Sequence, residues 1–379
     1  MELTKGQENA LKVAVERYKN HEAYTVIAGF AGTGKSFLIK YIIDALNLNE
    51  NNVVYATFTG KASLVLRQNG CENAMTLHKL LYHCKEKPDG SCEFIPKTAL
   101  DKQYKLIVVD EVSMVSVEIW DLLMKHKVHV LACGDPEQLP AIDQSCTVLD
   151  NPHAFLTEIT RQAKESEIIR LSMDVREGKW IDYGGGKDAK IISLEKVSDK
   201  LLIGADIILC GKNSTRHSLN EQVRRIKWGE QYQNAPINGD KAIVLKNYWD
   251  LGEMYDEPLI NGSIGILQNI NLKETKLYKP EMTASFISDC GIEYSNLKID
   301  YNLFVKKEPT INKDNFMKYP KSTRPRELDF SYAITVHKSQ GSSWPRCCIF
   351  DEWLGDKDYH RRWLYTAITR SSDKLYIIK

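Results

Sequence analysis

The segment GFAGTGKS, Gly29 to Ser36, sits between an apolar β-rich run and a helical pattern, the setting in which G-x-x-x-x-G-K-S wraps phosphate. Gly29, Gly32 and Gly34 let the backbone turn its N–H groups toward phosphate oxygens, with Thr33 in the same loop, at the positive end of the following helix. Lys35 then reaches the β- and γ-phosphates of ATP, and the Ser36 hydroxyl ligates Mg²⁺. A second stretch, LIVVDEVSM at 106–114, ends an apolar strand in two acids. Asp110 suits Mg²⁺ held through its waters, and Glu111 suits taking a proton from an attacking water. In CGDPEQLP, 133–140, Gln138 is placed to orient water or touch the γ-phosphate and Pro136 stiffens the loop, although a plain turn has the same composition. Gln7, in TKGQ, is either the capping-box partner of Thr4 or an adenine contact, and composition does not separate the two.

Such groups need elements to hold them. Tyr24 to Ala28, Val53 to Ala56, Leu106 to Val109 and Val128 to Cys133 are short apolar runs, each followed by a polar loop containing Gly or Asp. Between the first two, Leu38, Ile39, Ile42, Ile43 and Leu46 recur at helical spacing. The alternation predicts a parallel α/β sheet with ligands beyond the carboxyl ends of its strands. Residues 83–103 interrupt it as a small surface excursion. The α/β pattern resumes near 154, residues 238–327 turn strand-rich as an inserted β domain, and the last fifty residues return to strand and helix.

The 51 basic and 50 acidic residues nearly cancel, so a polyanion must be held in a local cleft rather than by a global field. Met1 to Val15 has no signal-peptide core, and no uncharged run approaches the roughly 20 residues of a membrane span. A soluble, intracellular protein is expected. Nine scattered cysteines point to free thiols in a reduced compartment. His78, His83, Cys84 and Cys92 surround a turn-like KPDGS at a spacing that matches no common zinc pattern, which favours a simple hairpin.

LTKGQ, GFAGTGKS, ATFTGKA, TLH, VVDEVSM, GDPEQLP, LTEITRQ, YAITVHKSQG and LYTAITR occur in the order, and at roughly the intervals, of the superfamily 1 helicase motifs. The chain resembles the RecD-like, Dda-like branch (1B) of that superfamily along nearly its whole length. The resemblance implies an α/β fold of two RecA-like parallel-sheet domains with ATP between them. Residues 1–152 would form the first, with a β-hairpin pin at about 83–103; 153–237 plus 328–379 would form the second, interrupted by an SH3-like β domain at 238–327. It implies an ATP-driven DNA helicase that translocates 5′ to 3′ on single-stranded DNA and opens forked duplexes. Thr57, Thr59, Lys61, His78 and Pro136, with Thr335, His337 and Lys338, would hold the strand. Gln340 and Gly341 would face the ATP cleft, Arg161 and Arg370 would reach the γ-phosphate, and Phe94 would stack at the fork. A monomer in the cytoplasm of a bacterial or phage-infected cell is implied, away from membranes, serving replication, recombination or repair beside single-strand-binding or replisome proteins. Taken singly, these residues also suit helix caps, a core histidine or surface ion pairs. Two rival readings are a nucleotide kinase, which leaves Arg370 and 335–341 without a task, and an ATP-gated DNA-binding module, which leaves Glu111 without one.

Overall fold

The computed structural model describes residues 2–68, 70–86, 92–140, 146–160, 165–179, 181–251, 255, 258–273, 280–311 and 324–379. The chain divides into two compact units, one of Met1–Cys84, Phe94–Lys196 and Ser339–Lys379, the other of Lys85–Glu93 and Val197–Lys338.

In the first unit the strands β1 (Tyr24–Gly29), β2 (Val53–Thr57), β3 (Ala74–Thr76), β6 (Leu106–Val109), β7 (His129–Gly134) and β8 (Ala154–Leu156) form one sheet in the order β3-β2-β6-β7-β1-β8. Between β3 and β6 the chain makes a two-stranded sheet of β4 (Tyr82–Glu86) and β5 (Cys92–Pro96); its turn, 87–91, lies outside the described residues. Among the described residues the strands of the larger sheet pair in parallel. Central parallel strands bury both faces and so read as unbroken apolar runs. Alternate residues of each strand point to opposite faces. Ile27, Leu106, Val108 and Leu131 pack with Ala10, Ala14, Leu38, Ile39 and Ile42 of the helices Lys5–Lys19 and Lys35–Ala45. Val26, Ile107, Val109 and Val130 pack with Leu77, Leu81, Ile119 and Leu123, from the helices Leu77–Leu81 and Val117–Lys125. Each fully buried leucine in these layers stabilises the fold by about 1.5–3 kcal/mol. The α/β reading of the sequence holds.

The same unit contains a parallel set of Ala189–Ile192, Ser371–Ile378 and Trp344–Phe350, with Gly184–Gly185 antiparallel at its edge. The helices Glu167–Arg176 and Lys357–Ile368 pack on one another and on Ser371–Ile378.

In the second unit Ile207–Cys210 pairs in parallel with Ala333–Thr335, and the helix Asn213–Trp228 lies against both. A five-stranded antiparallel sheet follows in the order Glu293–Ile299, Glu281–Ser288, Ile264–Lys273, Lys241–Val244, Leu328–Phe330. Its core includes Phe286, Tyr294, Phe304 and Phe330. Asp240 is fully buried here. It accepts hydrogen bonds from Arg224, Trp228 Nε1 (2.9 Å), the Tyr332 hydroxyl (3.0 Å) and the Ile237 N–H (2.8 Å).

Among the described residues Cys71, Cys133, Cys146, Cys210, Cys290, Cys347 and Cys348 are free thiols. No helix among the described residues is long and apolar enough to cross a membrane.

Candidate functional site

Strand register assembles the site. β1 pairs with β7 up to Ala28 and Gly134, and β6 pairs with β7 up to Val109 and Ala132. Gly29, Asp110 and Asp135 therefore leave the sheet side by side at its carboxyl edge, where parallel α/β sheets bind ligands. Gly32 and Gly34 adopt left-handed φ values of 77° and 78°, a region open to glycine at no steric cost. A Cβ on Gly34 would also sit 2.7 Å from Gln7 Nε2. The Lys35 ammonium donates to the carbonyls of Gly29 (2.6 Å) and Phe30 (3.0 Å), and the Thr33 hydroxyl to Phe30 O (2.8 Å). Ser36 is exposed in the first turn of its helix.

Gln7 forms the capping box. Its Oε1 accepts from the Thr4 N–H (3.0 Å), and Thr4 Oγ1 accepts from the Gln7 N–H (3.3 Å). Its Nε2 also donates to Thr33 O (3.0 Å). Gln7 thus ties the first helix to the glycine-rich loop, a role neither sequence reading contained.

The Asp110 carboxylate accepts from the Glu111 N–H (2.9 Å). Burial, reinforced by the neighbouring Glu111 carboxylate, pushes its pKa up to about 6, with the Lys35 ammonium pulling the other way. Glu111 has a left-handed backbone, φ 56°, uncommon for a side chain with a Cβ and found most often where function demands it. Its Oε1 lies 3.7 Å from Arg370 Nη1, while Oε2 is buried with no hydrogen-bond partner, as is Gln138 Oε1. A buried carboxylate oxygen without a donor, next to a second carboxyl whose ionised form burial disfavours, is a pair of oxygen ligands that a divalent cation would satisfy and help to ionise. The residues therefore fit Mg²⁺. No cluster of three or more His, Cys, Asp or Glu side chains converges among the described residues, so phosphate oxygens and water would complete its coordination, as suits Mg²⁺.

Several residues missed in the sequence join this centre. Asp135, 2% exposed, has its pKa raised by burial; it accepts from the Tyr365 hydroxyl (2.6 Å) and the Glu137 N–H (3.0 Å). The Tyr365 hydroxyl accepts in turn from the Ala31 N–H of the phosphate loop (3.0 Å). Leu139 N–H donates to Thr366 Oγ1 (2.9 Å), Leu139 O accepts from Gln340 Nε2 (2.8 Å), and Pro136 O accepts from Arg362 (3.2 Å). Arg370 is buried and donates to Thr366 O (3.1 Å), Ser342 O (3.3 Å) and Thr369 Oγ1 (3.1 Å). Asp135 carried the same signal as Asp110, an acid closing an apolar strand. A tyrosine on an amphipathic helix carries none. Arg161 lies outside the described residues.

Within the first unit, the loops after β2 and β3 expected to hold a strand leave the sheet at the same carboxyl edge. β2 and β3 pair with Thr57 opposite Thr76, which brings the 57–62 and 76–79 segments together. The Thr57 hydroxyl donates to Thr59 O (2.9 Å) and Thr59 Oγ1 accepts from the Ala62 N–H (3.3 Å); both hydroxyls shape the loop itself. A Cβ on Gly341 (φ 71°) would stand 3.1 Å from Thr59 Oγ1, and Lys61 Nζ lies 4.8 Å from the Trp344 ring centroid. His78, its pKa lowered by burial, stands 5.3 Å from Phe94, 5.8 Å from Tyr82 and 6.1 Å from Phe58 between ring centroids. Phe94 contacts this group yet remains 38% exposed. Thr335, His337 and Lys338 belong to the second unit. Thr335 is buried at a strand end; burial lowers the pKa of His337, and burial together with Arg216 lowers that of Lys338.

Comparison with known proteins gives this geometry a family context. Residues 2–187 match the AAA domain family, and residues 330–378 match the UvrD-like helicase C-terminal domain. The ATP-dependent DNA helicase Dda of Enterobacteria phage T4 is 28% identical, the match covering 100% of this chain and 99% of the relative. An uncharacterised protein, MJ1519 of Methanocaldococcus jannaschii, is 24% identical over 93% of this chain, which spans only 36% of that relative's length. Among solved structures, Bacteroides Pif1 bound to single-stranded DNA superposes with a TM-score of 0.57 at 19% identity, covering 100% of this chain and 92% of that one. That likeness shows a shared fold.

Proposed function

We propose, this chain being a homologue of the superfamily 1B helicases, that it is an ATP-driven DNA helicase that moves 5′ to 3′ along single strands and opens forked duplexes. The observation that carries the proposal is the approach of Arg370 to Glu111, 3.7 Å apart, beside the phosphate loop. A guanidinium, a carboxylate and a Gly-Lys-Ser cradle together form a triphosphate-splitting centre, and a binding module has no use for the first two. The full-length match to Dda supports the DNA-unwinding part.

In this reading the N–H groups of 29–36 and Lys35 hold the β- and γ-phosphates. Glu111 takes the proton of the attacking water, Gln138 orients that water, and Arg370 with Arg161 stabilises charge in the transition state. Ser36 and Asp110 would hold Mg²⁺, which when bound would supply positive charge to the phosphate oxygens. Gln7 anchors the cradle, and Gln340 and Gly341 border it.

The strand is gripped by two loop sets: Thr57, Thr59, Lys61, His78 and Pro136, and Thr335, His337 and Lys338. Phosphate contacts fix register without reading sequence, and closure on ATP changes the span between the two grips. The domain limits follow the sequence: 1–152, then 153–237 with 328–379, the second interrupted by an SH3-like module at 238–327. A cytoplasmic monomer working beside single-strand-binding or replisome proteins completes the proposal.

The test is ATP-driven unwinding of duplexes bearing a 5′ or a 3′ tail, in DNA and RNA versions. Opening of the 5′-tailed DNA with strand-stimulated hydrolysis is expected. Hydrolysis indifferent to any strand would favour a nucleotide kinase and refute the helicase. Phe94 is the proposed wedge, its half-exposed ring resting on His78 and Tyr82. Base stacking on such a ring is worth about 1–3 kcal/mol, so Phe94→Ala should reduce unwinding by about tenfold or more while DNA-stimulated ATPase stays within about twofold. Equal loss of both activities would count against the wedge.

A further inference from the structure

We propose that Tyr365 is a positioning residue that ties Arg370 to the phosphate loop, so that nucleotide in the loop sets where the guanidinium stands. This inference rests on the helicase reading above. The Tyr365 side chain is 1% exposed, and its hydroxyl is committed in both directions, accepting from the Ala31 N–H (3.0 Å) and donating to Asp135 Oδ2 (2.6 Å). Asp135 Oδ1 in turn accepts from the Glu137 N–H (3.0 Å). One oxygen atom therefore joins the glycine-rich loop to the loop that carries Gln138.

The next residue extends the link. Thr366 Oγ1 accepts from the Leu139 N–H (2.9 Å) and donates to Arg362 O (2.8 Å), while Thr366 O accepts from Arg370 Nε (3.1 Å). Thr369 Oγ1 also donates to Thr366 O (2.8 Å). Tyr365 and Thr366 thus fasten the last turn of the helix Lys357–Ile368 to both loops, and the same turn holds Arg370. A helix turn so fastened transmits a shift of the loop as a displacement of its end, because packed elements move as bodies. Phosphate in the loop would compete for the Ala31 N–H and the Lys35 ammonium, which now bond Tyr365 and the Gly29 and Phe30 carbonyls. The hydroxyl at Ala31 is where that competition meets the helix, and Arg370 is one turn further along.

A phenylalanine at 365 keeps the ring and removes only the bridge. In steady-state kinetics with saturating single-stranded DNA, Tyr365→Phe should lower kcat by about 10- to 100-fold, the penalty of a misplaced catalytic group, with KM for ATP within about twofold. In an Arg370→Ala background the same substitution should produce no further loss, since its effect passes through Arg370. Tyr365→Phe leaves Asp135 Oδ2 without its hydroxyl donor while Oδ1 keeps the Glu137 N–H, so the companion variant Tyr365→Phe/Asp135→Asn removes both the hydroxyl and the buried charge. It should recover the melting temperature and keep the kcat defect.

Losses that add in the Arg370→Ala background, a raised KM with unchanged kcat, or recovery of kcat together with melting temperature would each overturn the inference. Failure of the parent reading looks different. There Arg370→Ala would itself turn over normally, whereas an active Tyr365→Phe beside an inactive Arg370→Ala sinks only the role of Tyr365.

Discussion

Arg370→Ala is expected to cut DNA-stimulated ATP turnover by about 10³- to 10⁵-fold, the range over which a γ-phosphate arginine acts. Nucleotide affinity should change by only a few-fold, because the guanidinium is needed most when charge builds on the transferring phosphoryl group. The structure sets the terms of the test. Arg370 is buried and donates to Thr366 O, Ser342 O and Thr369 Oγ1; Thr366 O keeps the Thr369 hydroxyl, but alanine removes the Arg370 donor from Ser342 O, at about 1–3 kcal/mol for an acceptor left unpaired. A melting curve must accompany the kinetics. Arg370→Lys keeps the charge and loses the planar fork, and should recover little of the rate. Full activity in a folded Arg370→Ala protein would remove the central support for the proposed chemistry.

Lys35→Ala should bring hydrolysis below detection while single-stranded DNA binding stays within a few-fold, as measured by phosphate release and by anisotropy of a labelled oligonucleotide. Two effects combine. The ammonium that now bonds Gly29 O and Phe30 O is the charge proposed to meet the β- and γ-phosphates. It also holds down the pKa of Asp110. Without it the Asp110 pKa rises further, the carboxyl becomes harder to ionise, and a cation ligand is weakened. Turnover comparable to that of the parent protein would contradict the phosphate-loop assignment.

Much of the centre was legible because it is local. Gly29 to Ser36 and Asp110–Glu111 announce themselves through strand, turn and acid within ten residues, and parallel-sheet topology then brings their loops to one edge. What sequence withheld is long-range pairing. The Tyr365 to Asp135 bond joins residues 230 apart in the chain, and no periodicity encodes a register between distant segments. Gln7 shows a second limit. Its capping box was readable from Thr4 and Gln7 alone, but the bond to Thr33 O depends on where the first helix docks. For Thr57 and Thr59 the residue types were equally compatible with gripping phosphate and with shaping their own loop, and the second use is the one their hydrogen bonds display.

The carboxylate of Asp240 carries a mechanical consequence. It clasps Arg224 and Trp228 of the long helix Asn213–Trp228, Tyr332 on the chain leaving the five-stranded sheet, and the Ile237 N–H. Severing one partner of such a buried ion pair costs about 3–5 kcal/mol, several times thermal energy. Sliding of the helix past the sheet is therefore suppressed. Within that unit the helix and the sheet are held in one fixed register by a single side chain.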